Sequence, residues 1–301
     1  MNFSKMSNRS KGITFMIASS CGFAMMSAFV KLSGDLPSFQ KTVFRNLVAV
    51  AVSLVLVIKK KESLVGKKEN RMRLIMRSTF GTLGIWFNYY AIDRLVLSDA
   101  NMLNKLSPFF VIIFSTLFLK ERMKPKQARV VTISCILAFI GALFVIKPTF
   151  NLEAIPALAG LMGGVTAAAA YTCVRSLSGK ESPDTIVFFF SAFSTIASLP
   201  MMIMTYKPMS MLQLTYLILA GACASIGQFG VTFAYKYAQA KEISIFDYTN
   251  ILFSAVISII VFNVIPDGMS IIGYIVIFAA SFYMFRFNKN LDKIDKKVKE
   301  A

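Results

Sequence analysis

Three ionisable residues stand inside long apolar stretches: Arg45, Lys105 and Asp247. An ionised side chain at mid-bilayer costs roughly 2.5–3.5 kcal/mol on insertion scales, so each is a candidate functional group. Lys105 lies about 13 Å into its stretch at 1.5 Å per residue, too deep for its ammonium to reach the interface easily. Asn101, Asn104 and Pro108 share its helical face by three- and four-residue spacing. Pro108 has no N–H to donate, which leaves the Asn104 carbonyl free for another partner. Asp247 has the complementary charge. It is read either as the counter-ion of a Lys105 latch between helices or as a carboxylate that carries a coupling proton. Substrate contact by Lys105 is compatible with either. Arg45 either snorkels to the outer surface or holds an anionic group with its planar fork. Asn88, Tyr89, Trp86, Gln228, Tyr235 and Tyr248 are secondary substrate-binding candidates. Each of these taken alone also fits an interhelical hydrogen bond or plain packing.

The chain holds no histidine, which removes histidine general acid–base catalysis, a Ser-His-Asp triad and histidine metal ligands. Cys21, Cys135, Cys173 and Cys223 sit in apolar stretches with no CxxC pair, so neither a zinc site nor a disulfide is expected. No catalytic residues, no metal and no cofactor are expected.

The elements that must position these side chains follow from composition. Of 301 residues, 56% are hydrophobic and 16% charged, and mean hydropathy is +0.63. A soluble surface needs about 25% charged residues, so most of this surface faces lipid. Ten stretches are long and apolar enough to span: 12–33, 38–58, 74–92, 96–119, 127–147, 154–176, 185–206, 211–235, 242–264 and 269–286. The expected fold is an all-α integral membrane protein of ten transmembrane helices. The first stretch lacks a small-residue cleavage site and exceeds a signal-peptide core, so it counts as a true span.

The net charge of +18 could suggest nucleic acid, but the cations cluster in short runs between spans. One set of alternate loops, including both termini, holds 26 Lys and Arg, with Arg77 counted among them; the other holds 5. That asymmetry predicts both termini in the cytoplasm of a cell-membrane protein, with lipid and no nucleic acid as surroundings. Leu291, Ile294 and Val298 could make the basic tail 289–301 amphipathic, but a solvated, topology-anchoring end is the preferred reading.

The chain divides near Pro148 into similar halves, 1–148 and 149–288. AFVKLS at 28–33 matches TCVRSLS at 172–178, and 89–105 aligns with 232–248, pairing Asn104 with Asp247 and Lys105 with Tyr248. Five spans per half is an odd number, so the second half would insert upside down. Such inverted repeats suit alternating access, with a site near the midplane where the halves meet. Gly160 and Gly164 form a GxxxG that reads as close helix packing.

The stretch 107–148 resembles the EamA branch of the drug/metabolite transporter superfamily. The residues concerned are Pro108, the turn Leu119, Glu121 and Arg122, and Gly141. FRNLVA at 44–49 is similar to that family's second span. The second half departs, with Ile251 where the proline would stand. The resemblance implies a ten-span carrier of two five-span repeats. The function expected is secondary active transport of a small polar metabolite, anionic or zwitterionic. LNKLSP at 103–108 resembles a nucleotide-sugar transporter motif, which keeps a nucleotide-sugar or phosphorylated-metabolite antiporter as the alternative. A membrane enzyme or a non-transporting assembly protein is the distant alternative. A homodimer is compatible with the sequence but not required by it.

Overall fold

The computed structural model describes residues 6–118, 125–146, 154–238 and 243–300. The Leu119–Arg122 turn, Lys147, the Pro148 boundary and the start of the ninth stretch at 242 lie outside them. The described elements are helical, with no strand among them. They are α1 (Asn8–Leu32), α2 (Ser38–Lys59), α3 (Arg71–Arg94), α4 (Leu97–Asn104), α5 (Ser107–Phe118), α6 (Pro125–Ile146), α7 (Ile155–Leu177), α8 (Pro183–Met204), α9 (Met211–Tyr237), α10 (Thr249–Phe262) and α11 (Gly268–Glu300).

Local chemistry sets several helix starts. Ser7 and Ser182 cap α1 and α8 by accepting from backbone N–H groups, and Ser210 with Gln213 forms a capping box on α9. Pro156 and Pro183 occupy first-turn positions, where a missing N–H costs nothing.

Eight of the described helical runs are long and apolar enough to cross a membrane, counting α4 and α5 together, and a shorter apolar run covers 246–262. With α3 they make ten helical rods, matching the number of stretches read from the sequence. α3 falls short on average apolarity, because its inner stretch carries Arg77 and Asn88 among several Ser, Thr, Gly and Tyr residues. α11 continues without a break into the basic tail, so the last span and tail are one helix.

Two of the rods are broken within the described residues. The fourth does not continue as one helix through Lys105, as the shared-face argument assumed. α4 ends at Asn104, Lys105 is its C-cap, and α5 starts at Ser107. The missing N–H of Pro108 is one physical cause. The ninth rod enters as a 3-10 segment, Ser244–Tyr248, and becomes α-helical at Thr249. No proline stands there, so the break recurs at the aligned position without the same residue.

Packing is reciprocal between the halves. α1 lies on α9 and α3 on α7, while α2 pairs with α8 and α6 with α11. Exchanging the first five rods for the second five returns the same pairings. Small residues permit the close approach. A Cβ on Gly22 would stand 2.8 Å from the Cys223 carbonyl, and one on Gly164 2.9 Å from the Leu103 carbonyl. The GxxxG of α7 therefore packs against the break in the fourth rod.

The two ends of the α2–α8 pair are fastened differently. At one end Lys60 pairs with Asp184 and Ser182 bonds Glu62. There too Glu181 accepts from Lys67 N at 2.9 Å and from Asn70 Nδ2 at 2.7 Å. At the other end Gln40 bonds the Lys207 backbone in both directions, at 2.8 and 3.0 Å.

Candidate functional site

Between the halves lies a cavity of about 80 Å³. Seven of the residues singled out from sequence line it: Arg45, Asn88, Tyr89, Asn101, Asn104, Lys105 and Gln228. They come from α2, α3, α4 with its C-cap and α9, so the tertiary fold gathers residues up to 183 positions apart. The space holds a few water molecules, and a larger guest requires the walls to move apart.

At one wall Lys105 Nζ donates to Asp247 Oδ1 at 2.8 Å, with side chains 7% and 12% exposed. Ser20 on α1 donates to the same carboxylate oxygen at 3.2 Å, and Asn250 Nδ2 donates to the Ser20 carbonyl at 2.8 Å. The pair thus joins the two broken rods and is braced by α1. Asp247 stands behind Lys105 and is not on the cavity wall. Asn101 both faces the cavity and bonds across helices: Nδ2 donates to Ser254 at 2.9 Å, and its Oδ1 accepts from Ser27 at 3.2 Å.

Arg45 does not snorkel. It is 1% exposed, lines the cavity and donates through Nη1 to Asn46 Oδ1 at 2.6 Å. Asn46 is held in turn by Ser194 at 2.8 Å. The Arg45 Nε has no partner.

Arg77 corrects the charge count. It was assigned to a loop, yet it is 1% exposed inside α3 and lines the same cavity. Its guanidinium lies 3.7 Å over the Phe190 ring, and Nη2 donates to Gln228 Oε1 at 2.9 Å. Its Nε also lacks a partner. A signal existed in the sequence. Arg77 falls three residues inside the stretch 74–92, and with Gly81, Gly84 and Asn88 it traces one helical face at spacings of four, three and four.

Three candidates sit elsewhere. Trp86 faces the opposite side of α3, donates to Ser198 at 2.9 Å, and packs edge-on against Phe39 at 5.0 Å. It lines a wider cavity of about 930 Å³ with Tyr90, Arg94 and Lys207. Tyr235 is buried against Tyr171, and it is Tyr171 that reaches the cavity wall. Tyr248 packs edge-on against Phe278 within an apolar cluster. An apolar neighbour is available on several sides of each ring, so sequence spacing alone could not say which way it turned.

Of the five cations counted in the smaller set of loops, Lys31, Lys41 and Arg94 lie in helices. Lys41 is fully buried and paired with Asp93. Lys31, in the last turn of α1, donates to the Ile92 and Leu95 carbonyls at 3.3 and 2.6 Å.

An all-helical, lipid-facing bundle around an internal charged chamber defines a polytopic integral membrane protein. The model of the EamA-like transporter family matches twice, over residues 10–147 and 154–286. The chain belongs to that family, within the drug/metabolite transporter superfamily. It is 30% identical over 281 residues to the pseudopaline exporter CntI of Pseudomonas aeruginosa, covering 92% of this chain and 97% of that protein. It is 22% identical to human solute carrier family 35 member G1, covering 90% and 77% of the two chains. A riboflavin transporter of Brucella anthropi is 24% identical, covering 90% and 97%. One crystal structure shares the fold at a TM-score of 0.68 and 14% identity, covering 94% of this chain and 99% of that one.

Proposed function

We propose that the protein is a secondary carrier that moves a small anionic or zwitterionic metabolite across the cell membrane by alternating access. The two five-span halves are read as inverted repeats, 1–148 and 149–288, with both termini cytoplasmic and the tail 289–301 basic. Exchange of the two halves' conformations then opens the central cavity to one side or the other. The reciprocal helix pairings and the double family match support this reading. Similarity to an exporter favours efflux.

One observation carries the substrate class. Arg45 and Arg77 are buried in one cavity and, among the described residues, neither has a carboxylate partner. Guanidinium forks present paired donors suited to carboxylate or phosphate. Lys105, Asn101, Asn104, Asn88 and Tyr89 complete the binding wall, with Gln228 acting through Arg77. Asp247 alternates between holding Lys105 and carrying a coupling proton when a substrate group takes the ammonium.

A phosphorylated metabolite is the second reading, since Asn104 and Lys105 of the LNKLSP stretch stand on the cavity wall beside these forks.

Solute flux in proteoliposomes tests the proposal, with solutes chosen by comparing metabolites in cells with and without the protein. Arg45→Gln and Lys105→Ala are expected to abolish flux of an anionic metabolite. Transport of only neutral or cationic solutes, unchanged by either substitution, would overturn it.

A further inference from the structure

Among the described residues, four cations are buried to 6% exposure or less: Lys41, Arg45, Arg77 and Lys105. Two have carboxylates, Lys41 with Asp93 and Lys105 with Asp247. The other two, Arg45 and Arg77, share one cavity, and among the described residues their hydrogen bonds go to neutral amide oxygens, those of Asn46 and Gln228. Each guanidinium has five N–H donors, and each of these two keeps an Nε with no acceptor. A buried charge without a counter-charge is unfavourable, and two of like sign in one chamber repel each other. Lys105 and Asp247 cancel, so the charged side chains at this chamber sum to two positive charges.

We propose that the carried solute is a dianion, supplying one negative charge for each of the Arg45 and Arg77 guanidiniums. This rests on the carrier reading above and narrows its substrate class. The forks are preorganised for the task. Phe190 fixes the plane of Arg77, and Gln228 fixes its rotation. Asn46, itself tied to Ser194, fixes Arg45. Neutral holders orient the cations without discharging them, which leaves the charge to the ligand. A monoanion would leave one buried cation uncompensated, so the chamber selects by charge number as well as by sign. A dicarboxylate and a phosphate monoester both meet this requirement.

The experiment is a binding titration of the full-length protein in detergent at pH 7.5, followed by thermal unfolding at constant ionic strength. The probes are succinate, its monoamide succinamate, acetate and glycerol phosphate, which is mostly doubly ionised at that pH. Succinate or glycerol phosphate should bind about tenfold or more tighter than succinamate or acetate, the scale of one added close charge pair. Preference between succinate and glycerol phosphate then identifies the carboxylate or phosphate source. Arg45→Gln and Arg77→Gln should each reduce the dianion-to-monoanion ratio to about one. Arg45→Lys and Arg77→Lys should retain part of it, which separates lost charge from lost folding. Lys207→Gln, an exposed cation on the other cavity, should leave it unchanged.

Equal affinity for succinate and succinamate, a preference that survives both glutamine variants, or no dianion binding above chloride would each overturn the proposal. Dianion binding without flux in proteoliposomes would instead overturn the carrier reading, while the dianion selectivity of the chamber as a binding site would stand.

Discussion

Lys105 Nζ and Asp247 Oδ1 meet at 2.8 Å, and each residue stands where its rod departs from the α-helix. The bridge therefore ties the broken rod of the first half to that of the second. Ser20 holds the shared oxygen from α1, so three helical rods converge on one ion pair. Helix breaks free backbone and side-chain groups for ligands at membrane depth.

Removing one partner of this pair strands the other. Lys105→Ala is expected to cost about 3–5 kcal/mol by leaving Asp247 buried and unpaired. Lys105→Ala with Asp247→Ala should recover most of that stability. Thermal midpoints measured in one detergent decide this part. If Lys105 also contacts substrate, the double variant is stable but does not transport. A double variant that is both stable and fully active would remove that contact.

Asp247→Asn keeps the shape and removes the site for a proton. If Asp247 carries the coupling proton, the pH dependence of net transport flattens while exchange of substrate for substrate persists. Transport rates from pH 5.5 to 8.5 read the difference. An unaltered profile would leave Asp247 as a latch alone.

Gly81 leaves room for the Arg77 fork. A Cβ there would stand 2.3 Å from Arg77 Nη1 and 2.7 Å from Phe190 Cε2. Gly81→Ala should cost about 1–3 kcal/mol through overpacking and push Arg77 off the ring. Binding of an anionic solute should weaken with it. Gly268→Ala, where a Cβ meets nothing within 4 Å, should stay within about 0.5 kcal/mol of the parent.

Gly164 performs the same service at the helix break, since its added Cβ would press on the Leu103 and Asn104 carbonyls at 2.9 and 3.1 Å. Both are backbone atoms and cannot swing aside. Gly164→Val should lower the thermal midpoint more than Gly81→Ala does and disturb Lys105. Equal midpoints for the two variants would contradict this ranking.

The charge asymmetry of the loops predicts a cytoplasmic C-terminus. A reporter enzyme active only outside the cytoplasm, fused after Ala301, should stay silent. Strong external activity would overturn both the orientation and the inverted repeat.

Much of this was legible from local pattern. Long apolar runs were enough to anticipate ten helical rods, and the resemblance carried by 107–148 and FRNLVA at 44–49 pointed to the family. Lys105 and Asp247 stood out because a charge surrounded by apolar sequence is conspicuous at single-residue level. Arg77 did not, because it follows Arg71 and Arg73 within one basic run that reads as a loop. Its place inside the stretch 74–92 was the one hint, and burial makes the separation plain: Arg71 and Arg73 are exposed, and Arg77 is enclosed.

In the sequence by itself, runs of side-chain polarity along the chain suffice to mark it as a membrane protein and to mark ten candidate helical stretches. Which side chains share the chamber was decided by tertiary structure. In a soluble helix the apolar stripe reveals the inward face. Here lipid and protein interior are both apolar, so that stripe is lost, and the rotation of each rod is set by packing of small residues against its neighbours. That rotation turned Trp86, Tyr235 and Tyr248 away from the chamber and brought Arg77 into it beside Arg45.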